Sequence, residues 1–327
     1  VEAALLGQER QKDTEAQAMI ADFTTKVLEA ESYAEKRGAA YGLAGMVKGV
    51  GVISLKQFNV TDLLKEALGN KKAAGHREGS LIALECLIRV VGRLFEPYAV
   101  TFVQPLLSSL SDGNNNVRQA AGDTARVLMQ QLSAHGIRQI LPSLLEALED
   151  DSQWRSQQGA AQLLGATAYC APKVLSQCLP QVIPKLQAAA VVTHMKVSDA
   201  ARQALLEVGG VIRNEEVRIL SPILIKALVE PELATAEALK SLAETRFIHA
   251  IDPPSLALVV PIVRRGLRDR TILTKTTAAR IVGNMATLAE VKDVVPYLPL
   301  MLPELQAVLL DPIPDIRAVV ASSMGQL

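Results

Sequence analysis

One segment returns along this chain about every forty residues, and it constrains the fold more than any other feature. Proline stands at positions 142, 184, 222, 261 and 303, each followed two residues later by Leu144, Leu186, Leu224, Val263 or Leu305. Four residues further on come Leu148, Ala190, Leu228, Leu267 and Leu309, and most copies close on an acid: Asp150, Glu230, Asp269, Asp311. An earlier copy has Gln104 in the proline slot, with Leu106, Leu110 and Asp112 in register. The intervals from position 104 are 38, 42, 38, 39 and 42 residues. Helical spacing repeated at this period describes helix pairs that bury their apolar faces only on neighbouring pairs, which is a solenoid.

A second helix follows each proline segment. Small and large apolar residues recur at intervals of three and four in 77–92, 117–132, 155–169, 197–212, 235–246, 274–288 and from 316 onward. An opening copy begins at Tyr33. Turn signals at Asp112-Gly113-Asn114, Asp150-Asp151-Ser152 and Asp311-Pro312 separate the helices. A proline inside a helix removes a backbone hydrogen bond, so its regular place predicts a bend in each first helix. Gly38, Gly42, Gly45 and Gly49 share one helical face, which predicts close approach of a neighbouring helix. No strand, Gly-rich loop and Gly-Lys-Ser/Thr arrangement accompanies them, so they are not read as a phosphate cradle. Residues 1–32 are expected to form a capping helix region. They hold most of the surplus acid of the first 35 residues, where three basic residues face eight carboxylates. Residues 33–327 then form the array of seven to eight repeats. A chain that opens on Val1 and stops inside a helical pattern at Leu327 reads as a piece of a longer polypeptide.

Composition removes several function classes. The longest apolar stretch, around Leu256 to Val263, is less than half of the roughly 20 residues a membrane span needs. Cys86, Cys170 and Cys178 lack metal or redox spacing; in apolar helical context they are expected to be buried thiols of a reducing compartment. His76, His135, His194 and His249 are too scattered to ligate a metal, and no nucleophile elbow or paired carboxylate marks a catalytic set. The expectation is no catalysis, no cofactor, no metal and no small-molecule substrate. Lysine plus arginine equals aspartate plus glutamate at 34 each, so any contact with nucleic acid falls to local patches.

The pattern of Leu144 to Asp150, Asp112 followed by Val117-Arg118, and Asp311 followed by Ile316-Arg317 resembles the HEAT consensus. That resemblance implies an all-α fold, a superhelical stack of antiparallel helix pairs. It also implies a structural ladder of aspartate and arginine between successive repeats, carried over to Asp112, Arg118, Asp311 and Arg317. The basic slot is expected to be lost at Thr235 and Thr274. Longer strings are more specific: Tyr33 to Gly45, Gly92 to Tyr98, Leu132-Ser133-Ala134-His135-Gly136 through Trp154-Arg155, Ala168 to Lys173, and Ile251-Asp252 with Pro254 to Leu258. Together they resemble the general control non-derepressible protein 1 family, in its region similar to the HEAT domain of fungal translation elongation factor 3. The resemblance implies a cytoplasmic scaffold on stalled or colliding ribosomes that supports activation of the starvation-responsive kinase of initiation factor 2 alpha. The kinase would be engaged by other parts of the full-length chain. No ATP-binding motif accompanies the repeats.

Two basic regions are the candidate contacts with ribosomal protein or rRNA backbone. The segment 36–77 holds eight basic and two acidic residues, with Lys71, Lys72, His76 and Arg77 at one inter-helix turn. In 260–280, Arg264, Arg265, Arg268, Arg270, Lys275 and Arg280 face only Asp269. Guanidinium groups suit phosphate because their planar fork takes two oxygens at once, and the scarcity of aromatics argues against base stacking. The rival reading is a HEAT adaptor for protein cargo, with a peptide groove in place of a basic surface.

Overall fold

The computed structural model describes residues 2–327, with side chains from Thr14 onward, so part of the surplus acid expected in the capping region lies outside the described side chains. Sixteen principal helices form eight pairs: α1 (Glu2–Glu29) and α2 (Tyr33–Val50), α3 (Val60–Gly69) and α4 (Ala74–Val91), α5 (Val103–Leu110) and α6 (Asn115–Gln131), α7 (Ala134–Glu149) and α8 (Trp154–Cys170). The later pairs are α9 (Pro172–Ala190) and α10 (Met195–Gly209), α11 (Glu215–Val229) and α12 (Pro231–Glu244), α13 (Pro253–Leu267) and α14 (Ile272–Leu288), α15 (Leu298–Val308) and α16 (Pro314–Gln326). Even-numbered helices are the second helices of the repeat.

Two compact units divide the chain, residues 1–163 and 164–327, with the boundary inside α8. In the first unit α1 packs on α2 and α4, α2 on α4, and α4 on α6, while α3 and α5 cover α4 and α6. In the second, α12, α14 and α16 stack in turn, and α9 lies against α13 as well as α11. The core is aliphatic with few rings: Leu43, Leu64, Leu81 and Leu106 are fully buried in the first unit, and Leu186, Leu224, Val263 and Leu305 in the second. Each of those last four stands two residues after a repeat proline, which is why that position keeps a large apolar side chain.

Helix starts follow from local chemistry. The side chains of Ser32, Asn114, Ser133, Asn214 and Asp252 accept the free N–H groups of the turn that follows each. Pro142, Pro184, Pro222, Pro261 and Pro303 all lie within their helices. Pro222 has no N–H for the Arg218 carbonyl, and the Ser221 hydroxyl donates to that oxygen instead at 2.8 Å. The first helices of the third and eighth pairs are broken more strongly, into 3-10 turns at Gly92–Phe95, Val100–Phe102 and Val295–Tyr297. Hydroxyls then stitch helices together: Ser80 donates to the Leu64 carbonyl, Ser156 to Leu107 and Ser198 to Ala190.

Two expectations need correction. Of the four glycines on α2, only Gly42 faces a neighbour: a Cβ there would sit 2.6 Å from the Phe23 ring of α1, whereas Gly38, Gly45 and Gly49 have nothing within 4 Å. The tightest approach to α1 is at Gly79 of α4, where a Cβ would run into the Val27 carbonyl oxygen. Among the cysteines, Cys86 is buried and Cys178 partly so, but Cys170 is exposed, because it ends α8 on the side away from the core.

These contacts set opposite signs for one substitution. Gly38→Ala and Gly45→Ala raise stability by up to about 1 kcal/mol, since each adds helix propensity in open space. Gly79→Ala lowers it by about 1–3 kcal/mol through overpacking against backbone. Urea midpoints of the three variants check this, and an unchanged midpoint for Gly79→Ala would refute the α1–α4 contact.

Candidate functional site

The turn aspartates organise the surface on which the basic residues sit. Asp112 accepts the N–H of Asn114 at 2.8 Å, Asp150 that of Ser152 at 3.0 Å, Asp269 that of Thr271 at 2.7 Å, and Asp311 that of Ile313 at 3.0 Å. A side chain that bonds the backbone two residues on fixes a tight turn. Two of these carboxylates also reach back to the preceding repeat. Arg77 grips Asp112 with two N–H groups, Nε to Oδ2 at 2.7 Å and Nη2 to Oδ1 at 3.0 Å, while its Nη1 donates to the Asn70 carbonyl at 2.7 Å. Lys275 meets Asp311 at 2.6 Å.

Arg77 and Lys275, both expected as ribosome contacts, thus bridge successive repeats. Only 12% of the Arg77 side chain and 18% of that of Lys275 is accessible, so neither is a free surface charge. Arg118 and Arg317 each staple their own turn: Arg118 donates to the carbonyls of Asp112 and Gly113, Arg317 to those of Asp311 and Pro312. The basic slot expected to be lost at Thr274 is filled by Lys275, six residues after Asp269 as Arg118 is six after Asp112. At Thr235 the slot is empty, and Arg265 of α13 donates to the Thr235 hydroxyl and, at 2.7 Å, to the Ala227 carbonyl.

At the first patch Lys71 and Lys72 are exposed and His76 is partly exposed. Lys65, Lys71, Arg77 and Asp112 line a groove of about 620 Å³ between the α3–α4 and α5–α6 turns. Burial by itself raises the Asp112 carboxyl, but hydrogen bonds from Arg77 and the Asn114 N–H, with the charges of Arg77 and Arg118, outweigh it and hold the group below the usual carboxylate range.

At the second patch two arginines converge, but on a carboxylate. Arg264 donates to Glu304 at 3.2 Å, and Arg268 approaches the same carboxylate with two N–H groups, Nε to Oε2 at 2.7 Å. Hydrogen bonding to Arg268 holds Glu304 below its ordinary value. Burial pushes the Arg265 guanidinium down, consistent with its inward contacts. Arg270 and Arg280 are exposed, and no side-chain partner engages either among the described residues. Glu304 was missed in the sequence although a signal existed: it directly follows the repeat proline Pro303 and lies 40 residues after Arg264, one period on.

The Arg77–Asp112 rung has an acid-side signature. A carboxyl held low in the fold contributes stability that is complete above the unfolded aspartate value of about 4 and is lost as pH falls through the lower folded value. Asp112→Asn costs about 2–3 kcal/mol at pH 7 and removes the part of the acid-side loss that Asp112 carries. Urea unfolding of both proteins at pH 7 and pH 3 measures it; curves that stay equally far apart at the two pH values would sink the assignment.

Comparisons with known proteins agree with the repeat geometry. A family model described as EF3 N-terminal HEAT repeat matches residues 36–205, and one described as Elongation factor 3/GNC1 HEAT repeat matches 234–327. The chain is 49% identical over 313 residues to the Mus musculus protein "Stalled ribosome sensor GCN1", covering 96% of this chain and 12% of that protein. It is 48% identical to "Protein ILITYHIA" of Arabidopsis thaliana, covering 97% of this chain and 12% of the relative. It is 30% identical to "Elongation factor 3" of Gonapodya prolifera, covering 89% of this chain and 27% of that protein. The chain thus spans about an eighth of the length of the first two relatives. A crystal structure of importin beta overlays 99% of this chain and 44% of that chain at 16% identity, with a TM-score of 0.43. With a family model over more than half its residues, the chain belongs to the HEAT-repeat family that the GCN1 proteins share with elongation factor 3.

Proposed function

We propose that this chain is a non-catalytic, cytoplasmic scaffold segment that docks on stalled or colliding ribosomes and supports activation of the initiation factor 2 alpha kinase in amino-acid starvation. The kinase is engaged through other parts of the full-length protein. The observation that carries this reading is 49% identity over nearly the whole chain to a protein named for sensing stalled ribosomes, beside relatives named as eIF-2-alpha kinase activators. No helix among the described residues is long and apolar enough to cross a membrane.

Exposure and pairing support one contact set. Lys71, Lys72 and Arg270 are exposed with no side-chain partner among the described residues, so their charge is available to phosphate or to acidic ribosomal protein. Arg77, Lys275 and Arg265 hold helices together, and Arg264 and Arg268 already share Glu304.

The protein-cargo reading has one feature in its favour, a groove of about 350 Å³ across α2, α4 and α6 lined by Glu78, Glu85 and Asp123. Those acids are engaged, by Lys36, by Arg37 and Arg89, and by Arg126 respectively. The groove therefore offers little free negative charge to a basic peptide.

Co-sedimentation of the chain with purified ribosomes across a salt series tests the docking. Lys71→Glu/Lys72→Glu/Arg270→Glu weakens binding about tenfold at low salt, and the difference closes as salt screens the contacts. Absence of binding by the wild-type chain at low salt would overturn docking by this segment; binding equal in the triple variant would move the contact elsewhere.

A further inference from the structure

Within the second unit, a pocket of about 250 Å³ opens between α9, α13 and the start of α15. Pro180, Pro184, Pro261 and Leu300 wall it, and Tyr297, Gln187, Arg264, Arg265 and Arg268 supply its polar lining. Tyr297 is 4% exposed, and its hydroxyl is buried without a hydrogen-bond partner. The Nε of Arg264 is likewise buried and unpartnered, although the same guanidinium reaches Glu304 through Nη2. Burying a donor without an acceptor is costly, and folded proteins rarely leave two beside one cavity. A ligand that accepts two hydrogen bonds resolves both.

The same walls carry the opposite polarity. Pro184 and Pro261 have no N–H to offer the carbonyls four residues before them, those of Pro180 and Ala257, and both of these residues line the pocket. A fitting ligand therefore brings an acceptor pair together with donors. A phosphodiester backbone brings acceptors only. An extended peptide brings both, a side-chain carboxylate for Arg264 and Tyr297 and main-chain N–H groups for the freed carbonyls. The charge fits as well: Arg264, Arg265 and Arg268 surround the site, opposed by Glu304 and, near Tyr297, by Asp293. The volume is below the roughly 300–1,000 Å³ of ordinary small-molecule clefts, which suits one side chain and its backbone. Proline and leucine walls suit apolar neighbours of that side chain.

We propose that this pocket seats a glutamate or aspartate side chain from an extended, apolar-flanked segment of a partner protein. Arg264 Nε and Tyr297 Oη donate to the carboxylate, and the proline-freed carbonyls receive the segment's N–H groups. The site does not depend on ribosome docking, which rests on the relatives and is read by sedimentation.

NMR of the arginine Nε–Hε signals of the 327-residue chain tests it, with the Arg264 signal assigned by its loss in Arg264→Lys. Three probes are titrated: acetyl-Leu-Glu-Leu-amide, the same peptide with glutamine, and octauridylate. The glutamate peptide should shift the Arg264 signal saturably and the glutamine peptide should bind at least tenfold more weakly. Tyr297→Phe should weaken the glutamate peptide about tenfold while its unliganded Tm stays level or rises, since no partner is lost. The proposal falls if the glutamate peptide gives no saturable shift, or if glutamine serves equally. It falls also if octauridylate alone moves the signal, or if Tyr297→Phe lowers the Tm and leaves binding unchanged.

Discussion

A helix pair in this chain buries its apolar face on nearby pairs, mostly the adjacent one, with α9 reaching past one pair to α13, so everything depends on how the pairs are held in register. Aliphatic packing between α2, α4 and α6, or between α12, α14 and α16, is not directional. Direction comes from the turn aspartates, whose two carboxylate oxygens act on two structures at once. One oxygen of Asp112 closes its own turn, and the carboxylate as a whole takes the fork of Arg77 from the pair before. Asp311 does the same for Ile313 and Lys275. Where the slot six residues past the acid holds serine, as at Ser156 after Asp150, a neutral hydroxyl bonds the Leu107 carbonyl of the preceding pair. Register is kept by whichever polar group fits the distance.

The period and the identity of all eight second helices were legible because proline and the apolar residues after it repeat at fixed offsets. The family was legible in the longer strings from Tyr33 to Leu258. What did not show is which neighbour each residue meets. Four glycines on one helical face look alike in the sequence, yet only Gly42 lies under a ring, because a face is wider than the strip a crossing helix covers. Arginine clusters look like free charge until the partner across the repeat is known, and Glu304 stands 36 residues from Arg268. Lys275 stands one residue past Thr274, and a one-residue offset is enough to hide a rung in the sequence. The two basic regions were therefore legible as runs of charge, but the partner of each side chain was not.

Charge on this surface is consequently sorted by burial. The cations that bridge helices, Arg77, Arg265 and Lys275, serve the fold, while the exposed ones, Lys71, Lys72 and Arg270, stand where inter-helix turns leave side chains without partners. Surface lysines of this kind contribute almost nothing to folding free energy, so a fold built this way can alter its exposed charges without disturbing its rungs.

Gly79 carries a different consequence. Because α4 meets α1 at the Val27 carbonyl, α1 is seated partly on main-chain atoms, which are the same whatever amino acid stands at that position. The opening helix can diverge widely in sequence between related chains and still dock at the same place, provided the residue beneath it has no side chain. The oddly plain position on α4, rather than any feature of α1 itself, is what such chains would need to hold in common.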